Sequence, residues 1–384
     1  MPDERIAAMD VQIKEITSPK ELKAFIKFPN RLYRDNPNYV PSLASDDMNT
    51  LRRDKNPAFE TCEARFWLAL RGREVVGRVA AILNHPHIEK WGQRYMRFGW
   101  LDFIDDPQVS AALLQAVEAW AKAAGMTAVH GPLGFTDMDR EGMLVQGFDE
   151  LATMITFYNY PYYPVHMENL GYTKDIDWVE YEISMPSEPD EKIARMAAIV
   201  MKRNKFRLLE VRNKQELMSH AKELFRLLED EYKKLYGTVP LTPRQVDSYI
   251  NQYFGLIRPE FVPMVYNEKN EMVAFGIALP SLARALQRSH GQLFPLGFIY
   301  LLNALRKNDR ADLYLVAVKS EYQGSGANAI LMNSMYEVFR KLGVKKIETN
   351  PELETNQLVQ GQWKYFETRQ HKRRRVYIKQ IGQE

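Results

Sequence analysis

One order of secondary-structure elements can be read twice along this 384-residue chain, and such an internal duplication limits the fold more than any single motif. In the first copy, residues 11–16 read as a strand and 20–27 as a helix, followed by a loop through Asp54-Lys55-Asn56-Pro57. Residues 66–70 and 75–82 then read as a hairpin turning at Arg71-Gly72-Arg73. A strand is expected at 98–103, and at 108–124 a helix whose Leu113, Val117, Trp120 and Ala124 share one face. Gly125 stops that helix, Ala128-Val129 starts another strand, and the copy closes with a short helix at 165–170 and a strand at 178–183. The second copy follows the same plan: strand 206–211, helix 216–234 with Leu217, Ala221, Leu224 and Leu228 inward, and hairpin strands 261–266 and 272–279. Strand 313–318, helix 328–342 and strand 344–348 complete it. The seam falls at Pro186-Ser187-Glu188-Pro189, so the expected units are residues 1–185 and 186–384. The length exceeds one ordinary core, in keeping with two units.

The copies differ between the central strand and its helix. In the second, the apolar run Leu313-Tyr314-Leu315-Val316-Ala317-Val318 leads into Gln323-Gly324-Ser325-Gly326-Ala327-Asn328, and the following helix has Leu331, Met335, Val338 and Leu342 on one face before Gly343. Such a turn leaves backbone N–H groups unpaired at a helix N-terminus, where anions are favoured, and its glycines let a diphosphate approach the main chain. The Walker pattern is excluded because no Gly-Lys-Ser/Thr follows. The dinucleotide pattern is excluded because Gly326 is followed by Ala327, Asn328 and Ala329. The first copy has Asp105-Asp106-Pro107 at this point. These carboxylates would repel a diphosphate, and Asp106-Pro107 reads as an N-cap followed by proline at the first helical position. The second unit therefore keeps the cofactor seat and the first has lost it.

Charge and cysteine content remove several function classes. Lys plus Arg is 52 against 49 acids, a net charge of +3, which argues against bulk nucleic-acid binding. The single Cys62 excludes an internal disulfide and a cysteine-rich metal site, so no metal is expected, and it suits a reducing cytosol. Residues 1–10 carry acids where a signal peptide carries bases, and no window reaches the roughly eighteen apolar residues of a membrane span. The expectation is a cytoplasmic protein that meets a membrane, if at all, from its surface.

The glycine turn resembles the GNAT acyltransferase signature Gln/Arg-x-x-Gly-x-Gly/Ala, with Gln323 in the first position, Gly326 in the fourth, and Asn328 departing in the last. The repeated order of elements also resembles the GNAT fold. The resemblance implies an α/β protein with a mixed sheet, built from two tandem GNAT-like modules. The chain is further similar to a bacterial family of tandem GNAT-like proteins that includes long-chain N-acyltransferases and ceramide synthases. The segments that carry this are Phe28-Pro29-x-x-Leu32-Tyr33, Val40-Pro41, Lys55-Asn56-Pro57, Val76-Gly77-Arg78-Val79-Ala80, Gly131-Pro132, Gly147-Phe148-Asp149, Pro161-Tyr162-Tyr163 and Glu354-Thr355-Asn356.

What the resemblance implies for chemistry is acyl transfer from acetyl-coenzyme A or a longer acyl-coenzyme A to a small-molecule or lipid amine. Gln323, Gly324, Ser325, Gly326, Ala327 and Asn328 would hold the pyrophosphate, and amides along Val316–Val318 would meet the thioester carbonyl. An amine of pKa ~10 is about one part in a thousand neutral at pH 7, so a base is needed. If the segment after residue 348 continues as a strand, Glu354 and Asn356 share a face as base and acceptor-positioning residue; the other reading is a solvated loop. Tyr365 is the candidate acid for the leaving thiolate, or else a packed aromatic. Asp137, Asp139, Arg140 and Glu141 frame the acceptor pocket or form a solvated turn.

The second copy carries an insertion, residues 281–310, rich in leucine and phenylalanine with bases at its ends. It is a buried helical pair, the lining of a slot for an acyl chain, or a segment lying on a membrane surface. His371-Lys372-Arg373-Arg374-Arg375 would pair with coenzyme A phosphates or anionic lipid, or form a solvated edge. Two other functions stay open: a transferase using aminoacyl-tRNA, which also pairs two GNAT-like modules but usually lacks the glycine turn, and a non-catalytic acyl-coenzyme A-binding module.

Overall fold

The computed structural model describes residues 10–186, 191–254 and 257–382, so most of the seam read at Pro186-Ser187-Glu188-Pro189 lies outside the described residues. The first half contains β1 (Val11–Glu15), α1 (Pro19–Leu32), α2 (Ala44–Leu51), β2 (Cys62–Arg71), β3 (Glu74–Asn84), α3 (His85–Trp91) and β4 (Tyr95–Phe103). It continues with α4 (Pro107–Ala123), β5 (Ala128–Gly131), β6 (Met143–Gln146), α5 (Tyr162–Asn169) and β7 (Thr173–Ser184). The second half begins with α6 (Glu191–Asn204), β8 (Arg207–Leu209), α7 (Lys214–Tyr232), α8 (Pro243–Tyr253), β9 (Met264–Tyr266) and β10 (Met272–Pro280). The insertion forms α9 (Ala283–Ser289) and α10 (Gly297–Arg306). Then come β11 (Arg310–Val318), α11 (Ala327–Leu342), β12 (Lys346–Glu348), β13 (Glu352–Leu353), α12 (Gln357–Gln360) and β14 (Thr368–Gln380).

These strands form one 14-stranded mixed sheet in the order β1-β2-β3-β4-β5-β14-β7-β12-β11-β10-β9-β8, with β6 on β14 and β13 on β7. β4 and β5 are parallel, as are β11 and β12, and the outer neighbours are antiparallel. The two ends of the sheet repeat the same plan. Its middle crosses over: the last strand of the chain, β14, pairs with β5 of the first half, while β7 of the first half pairs with β12 of the second.

Local chemistry places the helices. Asp106 Oδ1 accepts from the Gln108 amide at 2.9 Å ahead of Pro107, the cap expected for α4. Leu113, Val117 and Ala121 of α4 are fully buried against the first-half sheet, and Leu217, Ala221 and Leu224 of α7 are buried in the second-half core. The α9–α10 insertion buries Leu282, Leu286, Leu301 and Leu305 in the first-half core. Among the described residues no helix is long and apolar enough to cross a membrane.

The basic run at 371–375 is neither a solvated edge nor a phosphate site. It lies in β14, where His371, Lys372 and Arg374 are buried. Arg374 Nε donates to Glu180 Oε1 at 2.6 Å, Lys372 Nζ contacts Glu348 and Glu180, and Arg373 and Arg375 pair with Asp177. Alternation along a strand turns every second base inward, and acids on β7 and β12 neutralise them.

Candidate active site

Two central strands of the second half separate where the sequence stops supporting their pairing. β11 and β12 pair only over Arg310–Asp312 and Lys346–Glu348. The Thr349 amide then donates to the Tyr181 carbonyl at 2.9 Å, and Glu352 and Leu353 pair with Val179 and Trp178. The chain thus follows β7 and leaves β11, with Pro351, which has no N–H, inside the departing segment. On its other edge β11 gains one residue against β10: Ile277 faces Leu315 and Ala278 faces Leu313, so Tyr314 is bulged. The bulge lies two residues before the stretch from 316 to 318 that the family resemblance pointed to.

The parted edge of β11 is held by side chains. The Tyr314 carbonyl accepts from Asn350 Nδ2 at 2.7 Å, the Val316 carbonyl from the Tyr232 hydroxyl at 3.0 Å, and the Val318 carbonyl from Gln323 Nε2 at 3.4 Å. In an antiparallel strand the N–H of a residue lies on the same edge as its carbonyl, so the amides of Val316 and Val318 also face the opening.

The glycine turn closes one end of this opening. Gly324 has φ +75° with nothing near a would-be Cβ, and Gly326 has φ +92° as the N-cap of α11. A Cβ on Gly326 would come within 2.6 Å of Val200 on α6. The Ser325 amide donates to the Tyr322 carbonyl, and the Ala327 amide to Ser325 Oγ. Among the described residues the amides of Gly324, Gly326 and Asn328 have no protein acceptor. Three free amides at the N-terminus of a helix, with open space over Gly324, fit a diphosphate. Asn328 reaches Gln362 with its Nδ2 at 3.4 Å, while its Oδ1 is buried without a partner on the cavity wall.

From the parted strands an apolar cavity of about 340 Å³ runs beneath α7 and α8. Leu315, Leu331, Met335, Phe225, Phe254 and Leu305 are among its walls, so it draws on the core of the half, the helical cover and the insertion. Its carboxylates are Glu352 and the first-half residues Asp137, Asp139 and Glu141. Glu352 Oε1 accepts from Trp363 Nε1 at 2.8 Å, and its Oε2 is buried without a partner. Burial pushes this carboxyl up to about 8, against the smaller opposing effect of the Trp363 bond. Burial likewise pushes Asp139 up to about 6, although its Oδ2 accepts from the Phe135 and Thr136 amides. Glu141 is raised further, chiefly by burial, and its Oε1 has no partner.

The residues singled out in the sequence separate into those at the cavity and those elsewhere. Val316, Asn328 and Asn356 line it; Asn356 also caps α12, its Oδ1 accepting from the Val359 amide at 3.4 Å. Val318, on the parted edge of β11, and Gln323, Gly324, Ser325, Gly326 and Ala327, in the turn, lie at its mouth. Glu354 is not on the cavity wall: it binds Lys174 at 2.6 Å and Arg373 at 3.2 Å, and accepts from the Asp177 amide. The side chain of Tyr365 lies outside the described residues. Glu352, Trp363 and Tyr232 were not singled out. Strand alternation fails to find Glu352 because β13 ends at Leu353, so face cannot be counted from 352 to 356.

Residues 221–364 match the acetyltransferase (GNAT) family. Over 378 residues, 96% of this chain and 95% of the other, the sequence is 30% identical to Protein YghO of Escherichia coli. It is 27% identical over 363 residues to the bacterial ceramide synthase of Caulobacter vibrioides, covering 90% of this chain and 91% of that one. The fold matches a tandem GNAT protein from the clavulanic acid biosynthesis pathway with a TM-score of 0.58 at 12% identity, over 98% of this chain and 100% of that one. With the parted strands, the glycine turn and a relative aligned over nearly its whole length, the chain belongs to the tandem GNAT N-acyltransferase family.

Proposed function

We propose that this N-acyltransferase moves a long acyl chain from acyl-coenzyme A to the amine of a lipid-like acceptor. The observation that carries the reading is one apolar cavity joining the parted strands to a buried, half-partnered carboxylate. The coenzyme A thioester supplies the activated acyl group. The free amides of Gly324, Gly326 and Asn328 hold its diphosphate, and the edge amides of Val316 and Val318 face the carbonyl oxygen, where a positioned donor is worth ~3 kcal/mol. Glu352 takes one proton from the acceptor ammonium through Oε2 while Trp363 fixes Oε1; the neutral amine then forms the amide bond as the thioester C–S bond breaks, and the departing coenzyme A thiolate takes up the second proton that the nitrogen loses. A base titrating near 8 suits this work: it is partly ionised at neutral pH and strong enough to accept the proton. The first-half carboxylates Asp137, Asp139 and Glu141 also line the cavity, where they receive the polar head of the acceptor.

The apolar walls favour a long chain because each buried methylene contributes ~0.8 kcal/mol. The related ceramide synthase supports an amine on a lipid. A lipid acceptor that resides in a bilayer would be met at the membrane surface, whereas the charged acyl-coenzyme A donor can arrive from water. The test is release of free coenzyme A from palmitoyl-, octanoyl- and acetyl-coenzyme A with a sphingoid base as acceptor. Palmitoyl should exceed acetyl in kcat/KM by more than roughly a hundredfold. Equal or better use of acetyl-coenzyme A with water-soluble amines would remove the lipid reading and leave the transferase.

A further inference from the structure

We propose that the outer face of the α9–α10 insertion is a docking surface for an anionic phospholipid bilayer. The insertion has two unlike faces. Inward, Leu301 and Leu305 of α10 are buried in the first-half core, and Leu282 and Leu305 also line the cavity. Outward, Phe294 is 76% exposed, Leu296 54%, Phe298 41%, Ile299 41% and Leu302 47%. Phe298, Leu302 and Arg306 follow one another at helical spacing, so the apolar stripe ends in a base. Lys307 and Arg288 are exposed at the ends of the two helices, and none of these three bases forms an ion pair among the described residues. Arg284 is paired with Asp309.

Hydrogen bonds tie the α9 end of the insertion to the first half. Gln287 Nε2 donates to the carbonyls of Pro37 and Tyr39 at 2.8 and 2.9 Å, and the Ala44 amide donates to the Gly291 carbonyl at 2.9 Å. An apolar stripe of this width on a soluble face is unfavourable in water unless something covers it. Unpaired bases at its margin select the occupant, because an apolar centre with a cationic rim complements acyl chains beneath acidic headgroups. The same short helices separate this surface from the cavity, so a lipid leaving the bilayer here starts one helix away from the site. That last role rests on the lipid reading above; bilayer binding itself does not.

The experiment is co-sedimentation of the full chain, without substrates, with vesicles of phosphatidylcholine alone or with about a third phosphatidylglycerol. The full chain should sediment with the anionic vesicles and be released by salt. Phe298→Asp with Leu302→Asp should lower partitioning by on the order of a hundredfold. Arg306→Glu with Lys307→Glu should lower it by at least about thirtyfold and weaken the salt dependence. The charge-reversal pair changes only exposed side chains, which keeps the test decisive if the aspartate pair fails to fold. Binding unchanged in both variants, or no binding to either vesicle, would overturn the proposal. So would light scattering that finds a dimer in the unaltered chain and a monomer in the aspartate variant, since a second copy would then be the occupant. Failure of the acyl-transfer assay would leave these outcomes untouched.

Discussion

The proposed chemistry asks Glu352 to be a weak acid in the folded protein and a working base in the reaction, and both demands come from its burial. With its folded pKa raised to about 8 above an ordinary value of 4.5, the native state binds a proton that the unfolded chain releases. Stability therefore falls as pH rises from about 4.5 through 8, and Glu352→Gln should flatten that part of a denaturant-midpoint profile against pH. Transfer should behave oppositely: kcat/KM rises towards pH 8 as the carboxylate forms, and Glu352→Gln lowers kcat by roughly a hundredfold or more with the limb lost. Glu354→Gln, which weakens the contacts to Lys174, Arg373 and the Asp177 amide, should leave that pH limb in place. The glycines of the turn give a second contrast. Gly324→Ala puts a methyl into open space and costs about 1–2 kcal/mol for its left-handed backbone, whereas Gly326→Ala adds a clash with Val200 and should cost more. Chemical denaturation of both variants checks the order. The turn was legible because its glycines and helix are contiguous; Glu352 was not, because its donor Trp363 arrives from a separate turn and the cavity it lines is assembled from both halves.

Among the elements, β14 and β11 do the unusual work. β14 brings Lys372 and Arg374 into the interior against Glu180 of β7. Burial alone would raise the Glu180 carboxyl, but Arg374 and Lys372 outweigh it and hold it below the ordinary range. Glu180→Ala leaves two buried cations short of a counter-charge, so unfolding measurements should register a loss of about 3–5 kcal/mol. Replacing a single exposed partner such as Lys14 of the Lys14–Glu21 pair should cost no more than about 1 kcal/mol. β11 does the opposite: it gives up a neighbour. Its bulge at Tyr314 and the departure of residues 349–353 open the edge where the Val316 and Val318 amides lie. In the sequence, the residues of β11 read as a buried strand, and nothing in an apolar run marks where its partner will leave.

At the scale of the whole molecule, the sheet joins the halves by exchanging strands. β5 and β7 are separated by β14, and β12 meets β7, so each half of the sheet is completed by the other half of the sequence. Ending the chain before residue 368 strips the partner from the short strand β5 and from the long edge of β7, and unpaired edges aggregate. Such a truncation should give insoluble protein by gel filtration, as should either half expressed alone. The cavity has the same dual origin, since Asp137, Asp139 and Glu141 reach it from the first half and Glu352 from the second.

The sequence alone determined the repeated plan and the glycine turn, because periodicity, caps and glycine spacing act over a few residues and survive without tertiary context, and its motifs carried the resemblance to the family. Only the tertiary structure decided which carboxylate faces the cavity, that the basic run is buried, and that the last strand crosses to the first half. Burial and strand pairing join residues far apart in the chain, and a carboxylate acquires its proton affinity from what surrounds it rather than from its neighbours in sequence.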